Sequence, residues 1–197
     1  MTTVNVAIFI SGYGSNALNL IRFFEKKEGI NIRLLLSNNK ASFALKKAAE
    51  MGVETVVFNN ETFINKGVLL HFLQANHIDF VVLAGFLRLI PKDVTKHYRN
   101  KMVNIHPSLL PKYGGKGMYG RHIHLAVLKN GDTESGITIH YVNEEYDDGQ
   151  LIVQKKVAVN KLDSLEGLTK KIQALEHKHY PIVVEQVVRS TFFNKNV

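Results

Sequence analysis

The sequence predicts an α/β fold: a mostly parallel sheet with helices on both faces and an antiparallel strand pair near its C-terminal end. Three observations carry that prediction. Short apolar runs rich in β-branched residues alternate with segments of helical apolar spacing from Val4 to Ile105. The first run leads at once into a glycine loop, Ser11-Gly12-Tyr13-Gly14-Ser15-Asn16, and then into a helical pattern. After Asn130-Gly131-Asp132 the texture changes to two alternating stretches joined by an acidic, turn-rich link.

The elements follow in order. Val4 to Ile10 reads as a buried strand. Ala17, Leu18, Leu20, Ile21 and Phe24 mark the inner face of a helix ending near Gly29. Asn31 to Ser37 is the second strand, Ala41 to Met51 a helix closed by Gly52, and Val53 to Phe58 the third strand. Glu61 to Asn76 is a third helix, with Phe63, Leu69, Leu70, Phe72 and Leu73 as its apolar positions. Asp79 to Ala84 is the fourth and most apolar strand, Pro91 to Tyr98 a short helical piece, and Met102 to Ile105 the fifth strand. Gly136 to Val142 and Gln150 to Val159 form the antiparallel pair, with Leu151, Val153 and Val157 facing one side. Asp163-Ser164-Leu165-Glu166 resembles a capping box, and Leu165, Leu168, Ile172 and Leu175 have helical spacing. Pro181 is expected to bend or interrupt that helix, and the tail from Ser190 is expected to be loose. Residues 1–197 are read as one Rossmann-like domain.

Composition bounds the function. A chain of 197 residues can bury a sizeable core. It has no cysteine, which removes disulfides, thiolate zinc sites and cysteine nucleophiles. No group of residues has metal-ligand spacing, so no metal is expected. Neither a signal peptide nor a membrane-length apolar run is present, and the expectation is a soluble, cytoplasmic protein without membrane contact. The formal charge of +8 is spread along the chain with no basic block, which suits small anions better than nucleic acid.

In sheets of this kind ligands sit beyond the carboxyl ends of the strands. Ser11–Asn16, Gly85–Ile90 and Asn104–Ser108 all fall at such ends. The glycine loop and the helix N-terminus after it form an anion site, through unpaired N–H groups and the helix dipole. The loop lacks both the third glycine of a dinucleotide fingerprint and the Gly-Lys-Ser/Thr of a P-loop, so a tight turn that binds nothing remains the alternative. Asn104-Ile105-His106-Pro107-Ser108 brings an amide, an imidazole and a hydroxyl within five residues. In extended backbone, Asn104 and His106 project to the same side. An amide N–H and a protonated imidazole suit the oxyanion formed when an amine attacks a carbonyl carbon. A carboxylate beside the imidazole would orient it and help move the proton, and Asp147 and Asp148 are the candidates. Asp148 is read as a solvated turn residue, and His124, His140, His177 and His179 as structural or exposed.

At this point the residues are similar to a family. Asn104-Ile105-His106-Pro107-Ser108-Leu109-Leu110-Pro111 with Asp147-x-Gly149 resembles the folate-dependent formyltransferases. Ile10-Ser11-Gly12-x-Gly14-Ser15-Asn16, Val82-Leu83-Ala84-Gly85-Phe86-x-Arg88, Gly136 to Val142 and Glu176-His177-x-x-Tyr180-Pro181 narrow the likeness to members that act on glycinamide ribonucleotide, and the matches run from Ile8 to about Pro181. The resemblance implies the formyltransferase fold. The reaction it implies is transfer of a formyl group from 10-formyltetrahydrofolate, as co-substrate, to the amine of glycinamide ribonucleotide (GAR) in purine synthesis, by a monomer or homodimer. It makes Asn104, His106 and Asp147 catalytic. It gives Gly14, Ser15, Asn16, Gln173 and Glu176 to GAR, and Leu87, Arg88, Leu89, Ile90, Asn104 and the loop from Val142 to Asp147 to the folate. It also implies a cis Leu110-Pro111 bond.

The chain departs from the family in three places. Gly114 to Arg121 is longer than the Pro-Gly usual after Lys-Tyr, and Asp147-Asp148-Gly149-Gln150 replaces Asp-Gly-Gly-Pro. The stretch Asn59 to His71 is shorter, and Lys66, its counterpart of a substrate-binding arginine, is left out of the site. A methionyl-tRNA formyltransferase would add a C-terminal domain and a formyltetrahydrofolate hydrolase an N-terminal regulatory one; neither is expected here. A non-catalytic nucleotide- or phosphate-binding module is the remaining alternative, in which the glycine loop matters and His106 does not.

Overall fold

The computed structural model describes residues 3–59 and 65–193. Seven strands form one sheet in the order β3-β2-β1-β4-β5-β6-β7. They are β1 (Val4–Ile10), β2 (Ile30–Ser37), β3 (Glu54–Val57), β4 (Phe80–Leu83), β5 (Met102–His106), β6 (Glu134–Tyr141) and β7 (Leu151–Ala158). The first five are mutually parallel, while β5–β6 and β6–β7 are antiparallel. The helices among the described residues are α1 (Ser15–Phe24), α2 (Phe43–Glu50), α3 (Val68–Ala75), α4 (Lys92–His97), α5 (Gly120–Lys129) and α6 (Leu165–Phe192).

The strands are apolar on both faces because each face has its own core. Val4, Val6, Ile8 and Ile10 of β1 join the core packed by α1, α2, α5 and α6, whereas Ala7 and Phe9 join the core packed by α3 and α4. A bulge in β2 opposite Val6 and Ala7 lets Ile32 and Leu35, three residues apart, enter the same core. The expected inner face of α1 is buried in full, although the helix ends at Phe24, short of Gly29.

Several expectations are corrected. α3 starts at Val68, and the expected positions 61–64 of that helix, including Phe63, lie outside the described residues. α5 was not anticipated; it buries Ile123, His124 and Val127. A second bulge, in β7 opposite Ile139 and His140, places Ile152 and Val153 side by side against the core and leaves Leu151 half exposed. Ser164 does cap α6, its Oγ accepting from Gly167 N–H at 3.1 Å, while Glu166 turns to Lys170 at 2.8 Å and makes no reciprocal bond.

α6 also runs unbroken through Pro181. A proline removes the N–H that would bond the carbonyl four residues earlier. That carbonyl belongs to His177, and Asn19 Nδ2 of α1 donates to it instead, at 2.8 Å. The helix continues past Ser190 to Phe192, and the Phe193 ring lies over Gly29, where an added Cβ would be 3.2 Å away. Tyr180, fully buried, donates its hydroxyl to Leu83 O at 2.8 Å and so fastens α6 beneath the carboxyl end of β4. Among the described residues no helix is long and apolar enough to cross a membrane.

Candidate active site

Strand order reverses between β1 and β4, and a crevice at that switch point is where open α/β sheets hold ligands. The loops leaving the two strands are tied together there: Ser11 N–H donates to Gly85 O and Leu87 N–H to Ser11 Oγ, both at 3.0 Å. Above them opens a cavity of about 330 Å³. Its walls include Gly12–Asn16 after β1, Ala84–Leu87 after β4, Asn104–Pro107 of β5, Asp147 from the β6–β7 loop and Glu176 of α6.

The floor is built by strand alternation. Val103 and Ile105 enter the first core, so Asn104 and His106 both face the other way. His106 is 4 % exposed. Its Nε2 is 2.8 Å from Tyr113 O. A carbonyl only accepts, so Nε2 carries the hydrogen and Nδ1 faces Asp147 Oδ1 at 3.4 Å. Asn104 Nδ2 lies 3.1 Å from His140 Nε2 and 3.5 Å from Asp147 Oδ1. His140 donates Nδ1–H to Tyr141 O at 2.7 Å, which makes Nε2 of the neutral ring an acceptor for Asn104. His140 is thus buried in the polar cluster, directly across the strand pair from Asn104. Sequence reasoning set it aside; the signal was its place in the alternation Gly136, Thr138, His140 opposite the Asn104 strand.

Asp147 sits at φ 55, a left-handed conformation that aspartate tolerates better than most residues. Its Oδ2 accepts Gly115 N–H at 3.0 Å. Burial pushes its carboxyl pKa up, but the His106 imidazole at 3.4 Å, its charge and the Gly115 amide outweigh burial and hold it well below the usual range. The lengthened loop is therefore part of the site. Gly115 supplies that N–H at φ 92, and a Cβ on Gly114 would stand 2.7 Å from Leu110 Cδ2. The spacing Asp147-x-Gly149 has a steric cause: a Cβ on Gly149 would overlap Tyr141 O, at 1.7 Å.

The opposite wall is the N-terminus of α1. Gly14 precedes it at φ 84, and a Cβ there would be 2.4 Å from Ala44 Cβ. The first intrahelical bond runs from Leu18 N–H to Gly14 O, so the amides of Ser15, Asn16 and Ala17 have no helical partner. α6 grips this end twice, Gln173 Nε2 donating to Ser15 Oγ at 3.2 Å and Asn16 Nδ2 to Glu176 Oε2 at 2.9 Å. Burial raises the Glu176 pKa, against the opposing effects of Asn16 and the His106 charge. Asn16 Oδ1 is buried without a hydrogen-bond partner.

The expected residues thus fall into three groups. Asn104, His106 and Asp147 converge, as do Gly14, Ser15, Asn16, Gln173 and Glu176. The expected folate residues are more dispersed. Leu87 borders the main cavity, and Arg88 lines a neighbouring cavity of about 480 Å³ with Lys116. Leu89 is exposed, while Ile90 is buried in the second core and Val142 packs against it. Tyr146, in the expected folate loop Val142 to Asp147, lines the main cavity, as do Met118 and Tyr119, which no motif marks. Leu110-Pro111 is cis. Among the described residues no group of three or more histidine, aspartate or glutamate side chains could hold a metal ion.

A seven-stranded sheet with this amide–imidazole–carboxylate cluster at its switch point defines a class, and the family model described as formyl transferase matches residues 4–184. The chain belongs to that family. Its relatives carry a more particular name. It is 37 % identical over 187 residues to a phosphoribosylglycinamide formyltransferase of Escherichia coli K12, covering 92 % of this chain and 85 % of that one. A chloroplastic protein of the same name from Arabidopsis thaliana is 38 % identical over 191 residues, and the match covers 91 % of this chain but 63 % of that protein's length. The crystal structure of the Bacillus halodurans phosphoribosylglycinamide formyltransferase superposes with a TM-score of 0.85 at 32 % identity, covering 95 % of this chain and 96 % of that one.

Proposed function

We propose that this chain transfers the formyl group of 10-formyltetrahydrofolate to the primary amine of glycinamide ribonucleotide, giving formyl-GAR and tetrahydrofolate in purine biosynthesis. The observation that carries the reading is the convergence of Asn104, His106 and Asp147 on one side of a cavity whose other side is a helix N-terminus with unpaired amides. The names of its relatives point the same way.

The chemistry follows from the positions. The phosphate of the ribonucleotide lies on the amides at Gly14, Ser15 and Asn16. Its glycinamide end reaches Glu176 and Gln173, and the buried Asn16 Oδ1 offers an acceptor to a ribonucleotide hydroxyl or amide. The folate enters beside Leu87, Arg88, Leu89 and Ile90, with Asn104 and Val142 on its other side. The amine attacks the formyl carbon; the new C–N bond forms as the carbonyl electron pair moves onto oxygen. When the tetrahedral intermediate collapses, the bond to the folate nitrogen breaks and a proton passes from the attacking nitrogen to the leaving one.

The oxyanion needs donors. Asn104 supplies the Nδ2–H that meets Asp147 at the long distance of 3.5 Å and is easily given up to a stronger acceptor. His106 already donates Nε2–H to Tyr113 O, so only its doubly protonated form can also donate from Nδ1. Asp147 stays ionised, which favours that form and takes part in proton movement. Positioning and electrostatics supply most of the rate.

Residues 1–197 are one formyltransferase domain in this reading, working in the cytoplasm as a monomer or homodimer. The test is an absorbance assay for formyl loss from a 10-formyl folate, with and without GAR. Turnover that requires GAR and collapses in Asp147→Asn supports the transferase. GAR-independent turnover would point to a hydrolase, and full activity in Asn104→Ala or His106→Ala would sink the catalytic reading.

A further inference from the structure

Tyr113 faces two ways. Its carbonyl accepts His106 Nε2–H at 2.8 Å, and its hydroxyl points to the opposite side of the loop. That hydroxyl donates to Asp132 Oδ2 and accepts from Asn130 Nδ2, both at 2.7 Å. Lys112 Nζ holds the other oxygen of the same carboxylate, Asp132 Oδ1, at 2.6 Å. Asp132 and Asn130 stand in the turn between α5 and β6, about twenty residues further along, and neither borders the candidate active-site cavity.

We propose that Tyr113 and Asp132 are positioning residues for the formyl-transfer site: the Asp132–Tyr113 bond holds the Tyr113 carbonyl against His106 Nε2 and so fixes which ring nitrogen carries the proton. The proposal rests on reading His106 as the catalytic imidazole. Tyr113 has φ 60, a left-handed conformation that costs a bulky residue energy and persists only where the surroundings over-determine it. The anchors in reach are these. Ser108 Oγ donates to Lys112 O at 2.6 Å, which fixes the preceding peptide. The tyrosine ring is fixed by Asp132 and Asn130 at its far end. The turn that bears them is pinned in its own right, Asp132 N–H donating to Val127 O at 3.2 Å.

The consequence for chemistry is specific. With the carbonyl in place, Nε2 must hold a hydrogen and Nδ1 is left for Asp147. Once the carbonyl drifts, both tautomers of the neutral ring compete, and the charged ring loses the acceptor at one end. Burial and the Asp132 bond both raise the Tyr113 pKa, which keeps the hydroxyl protonated as a donor although Asn130 opposes them. Lys112 is more exposed than Asp132; its ammonium pairs with the carboxylate and lies 5.2 Å from the Tyr113 ring centroid, a solvent-exposed contact on the ring face that does not set where the hydroxyl points.

The experiment is histidine-labelled nitrogen NMR on the full chain, with His106 assigned from His106→Gln, alongside steady-state kinetics. With the ring neutral, at the alkaline end of a pH series, wild type is expected to show the Nε2–H form of His106. Tyr113→Phe and Asp132→Ala are expected to show mixed tautomers, with kcat lower by roughly 10- to 100-fold and KM for both substrates within about twofold. The double variant should be no worse than the poorer single one, because both act through one bond. Asp132→Asn, which keeps an acceptor, should recover most of kcat, and Lys112→Met should retain the wild-type tautomer and rate. A folded Tyr113→Phe with wild-type tautomer and kcat would overturn the proposal, as would losses that multiply in the double variant or an equal loss in Lys112→Met. Absence of wild-type turnover would overturn the functional reading instead, and the tautomer comparison would still decide this one.

Discussion

Asp147 is ionised because the His106 imidazole and the Gly115 amide outweigh its burial, and Glu176 resists ionisation because its one donor, Asn16, does not. Opposite pH signatures follow. The Asp147 pKa is lower folded than unfolded, so its contribution to stability is present above the unfolded value, near 4, and drains away as pH falls through the folded value. A pH series of denaturant melts should show that acid slope in wild type and a shallower one in Asp147→Asn. The same substitution should lower kcat by about 10² to 10⁴-fold, the range for a lost proton-transfer group. The Glu176 pKa is higher folded than unfolded, so the folded state binds the extra proton and loses relative stability as pH rises through that interval. Glu176→Gln keeps an acceptor for Asn16 without a buried charge. Its melting temperature relative to wild type should rise between pH 4 and pH 7, while kcat/KM for the ribonucleotide falls. A melting difference that does not change with pH would contradict this account.

The elements carry the site by their ends. α6 is the clearest case, since Tyr180, Glu176 and Gln173 tie it to β4 and to the start of α1. Its passage through Pro181 depends on Asn19 satisfying the His177 carbonyl. Asn19→Ala would leave that carbonyl unpaired and should cost about 1–3 kcal/mol in denaturant unfolding. Ser164→Ala, at the far N-terminus of the helix, should cost about 1 kcal/mol and leave kcat unchanged. The β6–β7 link is tighter than its acidic, turn-like sequence suggests. Gly149→Ala forces a methyl into Tyr141 O and must shift the turn that aims Asp147. Activity should fall at least as far as in Asp147→Asn, and melting would separate misplacement from unfolding.

Across the whole molecule the formal charge is +8, and both proposed substrates are anionic. A net positive field raises encounter rates with anions and is screened by salt. The value of kcat/KM for the ribonucleotide should therefore decline as ionic strength rises, with kcat changing less. A flat salt profile would show that the charge serves solubility alone. The sheet itself makes the cavity, because reversal of strand order between β1 and β4 leaves their two following loops side by side without a crossing connection.

The sequence by itself determined the alternation of strands and helices, the glycine loop at the start of α1, and the Asn104–His106 pair on one face of β5. Each is a local matter of period, backbone freedom or side-chain direction within a few residues. It also marked Asp147, through a fixed spacing to a glycine that steric contact with Tyr141 demands. Only the tertiary structure decided the rest. α5 was hidden because the glycines of Gly114 to Gly120 read as loop up to its first residue, and its buried face appears only once α6 packs against it. Pro181 sits inside a helix because Asn19, 158 residues before His177, replaces the bond missing at the His177 carbonyl. His140 joins the cluster through its cross-strand register with Asn104, and the lengthened loop joins it through one amide of Gly115. These are long-range pairings, set by how the elements pack together, and no local pattern encodes which distant partner a polar group will meet.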